Sequence, residues 1–363
     1  MTKPLDSVAG IEKFREKLAS QWPSIQQSET ASQDVERQLS QLFQIGEPRV
    51  LTADANFVVF GSLARREWTQ ASDLDWTYLI DGASDPEHLT SAQKIAKLLK
   101  EAKYSKPGPT GVFGSMAFSH EIIHQIGGIN DTNQNMTQRI LLLLESNPIL
   151  NRVAYDRVIA GNLYRYVQED TSFITAFGKS TKIPRFLLND IVRFWRTMAV
   201  DFASKQRERA GDGWALRNLK LRMSRKLIFV SGLLTCFSCR YDATGALLKI
   251  TFEEAQVTET LVNHLKRYIN STPLEIIAHS LFIYGASDDT VRKLFDSYDA
   301  FLSMLNNPEA RTHLEQLKSS DASASDVFQN MRELSHQFQD ALNEFFFETS
   351  PGLTDLIKQY GVF

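Results

Sequence analysis

The chain has 363 residues, of which 43% are hydrophobic and 23% charged, and its formal net charge is -3. This composition excludes a disordered or fibrous chain and gives length enough for two ordinary domains. The balanced charge excludes a global basic field for nucleic acid or anionic membrane, though not a local basic patch. No apolar run approaches the ~20 residues of a membrane span, and the opening Met1 to Asp6 lacks the apolar core of a signal peptide. With two cysteines there is no disulfide framework, so a cytoplasmic location without membrane contact is expected.

Two amphipathic helices are expected first, the second carrying Val35, Leu39, Leu42 and Phe43 at helical spacing. Phe57-Val58-Val59-Phe60 then reads as a buried strand ending at Gly61, and Leu74 to Ile80 as a second strand. Asp85-Pro86 has the cap-and-proline form of a helix start, and Ile95, Leu98, Leu99 and Ala102 give that helix its apolar stripe. Lys106 to Gly111 is a loop. Met116 to Ile126 is short and bounded by glycines, which predicts a third strand. A helix from about Thr132 to Glu145 should stop at Asn147-Pro148.

Beyond residue 150 nearly everything reads as helix. Starts are expected at Pro184, at Ser271-Thr272-Pro273, and at a capping box in Thr251-Phe252-Glu253-Glu254. Leu216, Leu219, Met223, Leu227 and Val230 form one apolar face. Cys236 and Cys239, set among apolar neighbours, read as buried small hydrophobes rather than half a metal site. Phe345-Phe346-Phe347 reads as core or a subunit contact, so an oligomer is compatible with the chain. The expected fold class is α+β. Helices in 1-50 pack on a small α/β unit in 51-150, a mixed sheet flanked by helices. A large all-helical region follows in 151-363.

Chemistry concentrates in Phe60-Gly61-Ser62-Leu63-Ala64-Arg65-Arg66-Glu67 and Ser72-Asp73-Leu74-Asp75-Trp76. Residues i and i+2 of a strand share a face, so Asp73 and Asp75 aim two carboxylates at one point. Two like charges held close are costly unless a cation joins them. Mg²⁺ takes oxygen ligands and usually links carboxylates to substrate phosphates. Gly61 permits close backbone approach to a phosphate, and Ser62 with the amides after it can donate to phosphate oxygens.

These residues resemble the nucleotidyltransferase superfamily of the DNA polymerase beta-like fold, whose pattern is a Gly-Ser turn, a spacer of roughly ten residues and Asp-x-Asp. The resemblance covers about residues 55 to 145. Arg66 departs from it, since a glycine is common at that position. It implies a metal-dependent transferase that moves a nucleoside monophosphate from a nucleoside triphosphate (NTP) to an acceptor and releases pyrophosphate. Mg²⁺ (or Mn²⁺) would be held by Asp73 and Asp75. The third carboxylate of such sites is assigned to Glu121, with Asp131 as the alternative. Phosphate contacts are expected from Gly61, Ser62 and Arg65, and from Lys220, Arg225 and Lys226 in the basic stretch Trp214 to Lys226. The acceptor class, whether protein, RNA, small molecule or another nucleotide, stays open.

Two other readings compete. One is a non-catalytic nucleotide sensor on the same fold, which a distant Glu121 would favour. The other is a zinc hydrolase, because His120-Glu121-Ile122-Ile123-His124 spells His-Glu-x-x-His. That motif needs a helix, so that both histidines face one metal.

Overall fold

A computed structural model describes residues 5, 10–45, 52–108, 112–169, 183–208, 211–240 and 254–361. The expected capping box at Thr251-Phe252-Glu253-Glu254 falls largely outside them. Two helices open the described chain, α1 (Ile11–Leu18) and α2 (Pro23–Ile45). Strand β1 (Ala55–Phe60) runs into the single turn α3 (Gly61–Ala64), and β2 (Trp76–Ile80) leads to α4 (Pro86–Glu101). Then come β3 (Ser115–Phe118), α5 (Ser119–His124), α6 (Asn133–Leu144) and β4 (Ser146–Ile149).

Among the described residues these strands form one mixed sheet, in the order β3-β2-β1-β4. β1 is antiparallel to both β2 and β4, whereas β2 and β3 are parallel. Every residue of β1 and β2 is buried, as apolar strands covered on both faces must be. The cap at Asp85 is present: its side chain accepts from the amide of Glu87, and Pro86 fills the first turn.

After the sheet the described chain is helical. The elements are α7 (Val153–Glu169), α8 (Arg185–Glu208), α9 (Trp214–Lys220), α10 (Lys226–Ser238), α11 (Glu254–Ile269), α12 (Pro273–Tyr284) and α13 (Asp288–Asn306). The last are α14 (Pro308–Gln316), α15 (Asp326–Phe347) and α16 (Pro351–Leu356). Thr272 and Glu275 form a reciprocal capping box at the start of α12. The architecture is therefore α+β, a small mixed sheet within a mostly helical chain. No described helix is long and apolar enough to cross a membrane. Cys236 and Cys239 lie buried in and just after α10. Phe345 and Phe346 are core, while Phe347 is exposed.

Two apolar layers sandwich the sheet. One face, with Phe57, Val59, Trp76 and Tyr78, packs on Val35, Leu39 and Phe43 of α2 and on Ile95 and Leu99 of α4. The opposite face contributes Val58, Phe60 and Leu79 to a core continuous with the helices as far as Ile357. The N-terminal helices therefore serve two partners. The later part of α2 covers the sheet. The start of the chain grips α13: Trp22 Nε1 donates to Asp296 (2.7 Å), and the amide of Ile25 to Asp299 (2.9 Å).

Two expected elements differ. The third strand stops at Phe118, and residues 119–124 are helical. Phe118, Ile122 and Ile126 recur every four residues, which is helical spacing, and Ile122 and Ile126 reach the larger core. Residues 146–149, expected only to end a helix, form β4. Its proline is tolerated because β4 is an edge strand.

Candidate active site

Strand pairing places the carboxylates. Phe60 donates its amide to the carbonyl of Asp75 at 2.9 Å, so Gly61 and Asp75 meet at one end of the β1–β2 ladder. Leu74, between the two aspartates, is buried against α2 and α4, whereas Asp73 is exposed and Asp75 half-buried. The expected strand from Leu74 begins only at Trp76, so the two aspartates sit on the segment leading into β2, with Leu74 turned to the core and both carboxylates less buried than it. Burial first, then the charge of Asp73, push the Asp75 carboxyl up to about 7, against the pull of Arg225 and Arg65. The two carboxylates sit close enough to repel.

Gly61 is required twice. Its φ of +66° lies in the left-handed region, and a Cβ there would stand 2.9 Å from Asp75 Oδ2. Gly61→Ala is expected to cost about 1–2 kcal/mol in backbone strain alone and to displace the Asp75 carboxylate. Thermal unfolding alongside an NTP-binding titration checks this; a variant unchanged in both would contradict the placement. Arg66 has φ +60° and pairs with Glu29 at 3.0 Å.

Opposite the carboxylates stand cations from the helical region. Between α9 and α10 the helix widens into a π-turn, Leu221–Arg225. Residues five apart on an α-helix point about 140° away from each other. The extra residue of a π-turn reduces that angle, and such turns are frequent at functional sites. Lys220 and Arg225, at its two ends, both act on the aspartates. Lys220 feels Asp73, and Arg225 draws on Asp75. Burial, then Arg311, lower the Lys220 ammonium to about 8. Arg311 of α14 also donates to the carbonyl of Ala71 (2.7 Å), in the turn leading to Asp73.

Beneath the site lies a buried charged ladder. Arg65, only 7% exposed, donates through Nε to Glu67 at 2.8 Å and through Nη1 to Glu145. Tyr298 of α13 donates to the other oxygen of Glu67 (2.6 Å), and Arg225 donates to the other oxygen of Glu145 (3.2 Å). Burial would lower the Arg65 guanidinium, but Glu67 and Glu145 more than reverse this. Burial, then Glu67, raise the Tyr298 phenol well above its usual value.

Several expected residues lie elsewhere. Glu121 is on α5, not on a strand. β3 pairs with β2 in parallel, Thr77 with Ser115 and Ile80 with Phe118, and α5 then turns back so that Ile122 lies beside Phe60, Thr77 and Ala117, while Glu121 does not join Asp73 and Asp75 in any group of metal-ligating side chains among the described residues. Asp131 is committed to Arg139 (2.9 Å) and Arg193 (3.4 Å). Arg65 is a strut within the ladder rather than a free phosphate ligand. Lys226 turns to Gln339, and burial and Arg222 lower its ammonium to about 8. Gly61, Lys220 and Arg225 remain with the aspartates, and Ser62 follows Gly61 in the single turn α3. Arg311 joins them unannounced, because its relation to Lys220 exists only in the folded chain.

The helical form of 119–124 meets the first requirement of the His-Glu-x-x-His reading, and the rings of His120 and His124 lie 5.1 Å apart. A third ligand is not met: among the described residues no three His, Cys, Asp or Glu side chains group to hold a metal ion. The same finding bears on Asp73 and Asp75. Glu145 acts on Asp75, but both its oxygens are taken by arginines. Two carboxylates that repel each other fit one hard cation whose remaining ligands come from phosphate and water. Comparisons with protein-family models, curated proteins and solved structures find no match to this chain.

Proposed function

We propose that the chain is a metal-dependent nucleotidyltransferase. The observation that carries this reading is Asp75 set against Gly61, with Asp73 and Arg225 acting on its charge, Lys220 acted on by Asp73, and Arg311 bonded to the turn before Asp73. Acidic and basic groups set opposite each other suit a cation-bound polyphosphate. Asp73 and Asp75 would hold Mg²⁺ or Mn²⁺, which would supply charge neutralisation on the triphosphate. Lys220 and Arg225 would hold the phosphates that leave. In the reaction an acceptor oxygen bonds to the α-phosphorus, and its proton passes to water. The bond from the α-phosphorus to the bridging oxygen breaks, and its electron pair leaves with pyrophosphate.

A second reading, a nucleotide sensor that does no chemistry, draws support from the position of Glu121. Such sites use a third carboxylate to activate the acceptor, and among the described residues none joins the pair. Retention of both aspartates favours the enzyme.

The test is NTP binding followed by calorimetry with and without Mg²⁺. Binding should depend on the cation and weaken at least tenfold in Lys220→Ala and in Arg225→Ala. Equal binding by Asp73→Ala/Asp75→Ala, with or without cation, would refute the site. The cation must also displace the Asp75 proton, so its apparent affinity should fall about tenfold per pH unit below about pH 7. Affinity flat from pH 5 to 8 would exclude Asp75 as a ligand.

A further inference from the structure

Helix α5 carries a motif that nucleotide transfer leaves unused, His120 and His124 four residues apart. Residues at i and i+4 of an α-helix are neighbours on one face. Ile122 lies half a turn from both, is 2% exposed and packs into the larger core. Ile123 braces the side of the turn against Gly161 of α7, where an added Cβ would stand 2.9 Å from its Cδ1. The helix is thereby held with both imidazoles outward, and both are exposed.

These rings differ from the histidines that serve the fold. His88 accepts from the amide of Asp85 (3.3 Å), His264 meets Ser238 (2.9 Å) and His313 meets Ser325 (2.7 Å). Among the described residues His120 and His124 have no hydrogen-bond or ion-pair partner; each meets the other's ring, with centres 5.1 Å apart. Two imidazoles bonded at about 2.0–2.1 Å to one tetrahedral ion hold their ring centres about 5 Å apart. Glu121 is not a third ligand. Consecutive helical residues point about 100° apart, and Glu121 lines a separate cleft with Gln125 and Asn135.

We propose that His120 and His124 chelate one divalent transition-metal ion of the Zn²⁺ or Cu²⁺ kind across a turn of α5. Imidazole suits such ions, whereas Mg²⁺ prefers oxygen ligands, so this site and the aspartate pair select different metals. Two protein ligands are fewer than the three of catalytic zinc sites or the four of structural ones. Water fills the other positions, and the ion exchanges with the medium. Half the ligands of a structural site place the dissociation constant on the order of 10 µM. A helix as short as α5 is not stable by itself, so an ion tying one turn to the next also stabilises it. The proposal is independent of the nucleotidyl-transfer reading.

The experiment is calorimetric titration of the full chain with zinc chloride in excess Mg²⁺, which keeps hard-cation sites filled. Wild type and Asp73→Ala/Asp75→Ala should bind zinc alike. His120→Ala and His124→Ala should each bind at least tenfold more weakly, because either change removes the chelate. Both residues are exposed, so the variants should fold as wild type does, which circular dichroism checks. With Cu²⁺ in place of zinc, electron paramagnetic resonance should show coupling to two imidazole nitrogens in wild type and to fewer in either variant. Zinc bound equally by wild type and His120→Ala/His124→Ala overturns the proposal, as does no binding by wild type at millimolar zinc. Two-nitrogen coupling that survives in the double variant overturns it as well. Zinc uptake retained where cation-dependent NTP binding fails would remove the transferase and keep this site.

Discussion

Asp75→Asn is expected to abolish nucleotide transfer and, in the absence of cation, to make the protein more stable. Loss of activity follows from removing one of two carboxylates that hold the cation. Cation stabilisation of developing charge is worth several kcal/mol, so the rate should fall roughly 10³-fold. The gain in stability follows from the repulsion at the site. Burial and Asp73 raise the Asp75 carboxyl in the folded chain to about 7, well above its unfolded value. The folded state therefore binds the proton more tightly, and wild-type stability falls as pH rises from about 4 to about 7. Above pH 7 the charged carboxylate is a standing cost, which an amide of the same shape lacks. After allowance for solvent screening this is on the order of 1–2 kcal/mol, or a few degrees of melting temperature. The advantage of Asp75→Asn should be largest above pH 7, vanish near pH 4, and shrink when Mg²⁺ and NTP stabilise wild type. A variant less stable than wild type at pH 8 would show that Asp75 supports the fold rather than the site.

Arg65→Ala is expected to destabilise the protein by about 3–5 kcal/mol, because it strands the buried carboxylates of Glu67 and Glu145. Tyr298→Phe removes one hydrogen bond to Glu67 and should cost only about 1–2 kcal/mol. Urea unfolding midpoints separate the two. Arg65→Met/Glu67→Gln/Glu145→Gln should recover much of the lost stability, since replacing a buried ion network by neutral groups is often close to neutral. It should not recover activity, because Arg225 loses the carboxylate that positions it. If Arg65→Ala unfolds within 1 kcal/mol of wild type, the ladder does not brace the site.

How much of this was legible in the sequence depended on distance along the chain. β1, β2 and the Gly61 to Asp75 span are local patterns, though β2 begins at Trp76 and leaves Asp73 and Asp75 on the segment before it. Caps at Asp85 and Thr272 were equally local. Glu121 was misplaced because a glycine-bounded segment favoured a strand, while the four-residue recurrence of Phe118, Ile122 and Ile126 carried the helix. Arg65 read as a phosphate ligand because its partners are remote: Glu145 lies 80 residues away, and Tyr298 lies 231 residues from Glu67. Lys226 and Arg225 are neighbours in sequence, but consecutive helical residues point about 100° apart, and in the fold Arg225 goes to Glu145 and Lys226 to Gln339. Arg311 has no local signature at all.

Transfer itself is the most direct measure of the central claim. Wild type and Asp73→Ala/Asp75→Ala would each be incubated with every α-³²P-labelled NTP and Mg²⁺ or Mn²⁺, in the presence of RNA, DNA and a protein lysate. The expected result is label moved onto one acceptor class by wild type alone, with release of unlabelled pyrophosphate. Label moved equally by the double variant would contradict the site. No label from any donor, with cation-dependent NTP binding intact, would contradict the enzyme and leave the sensor.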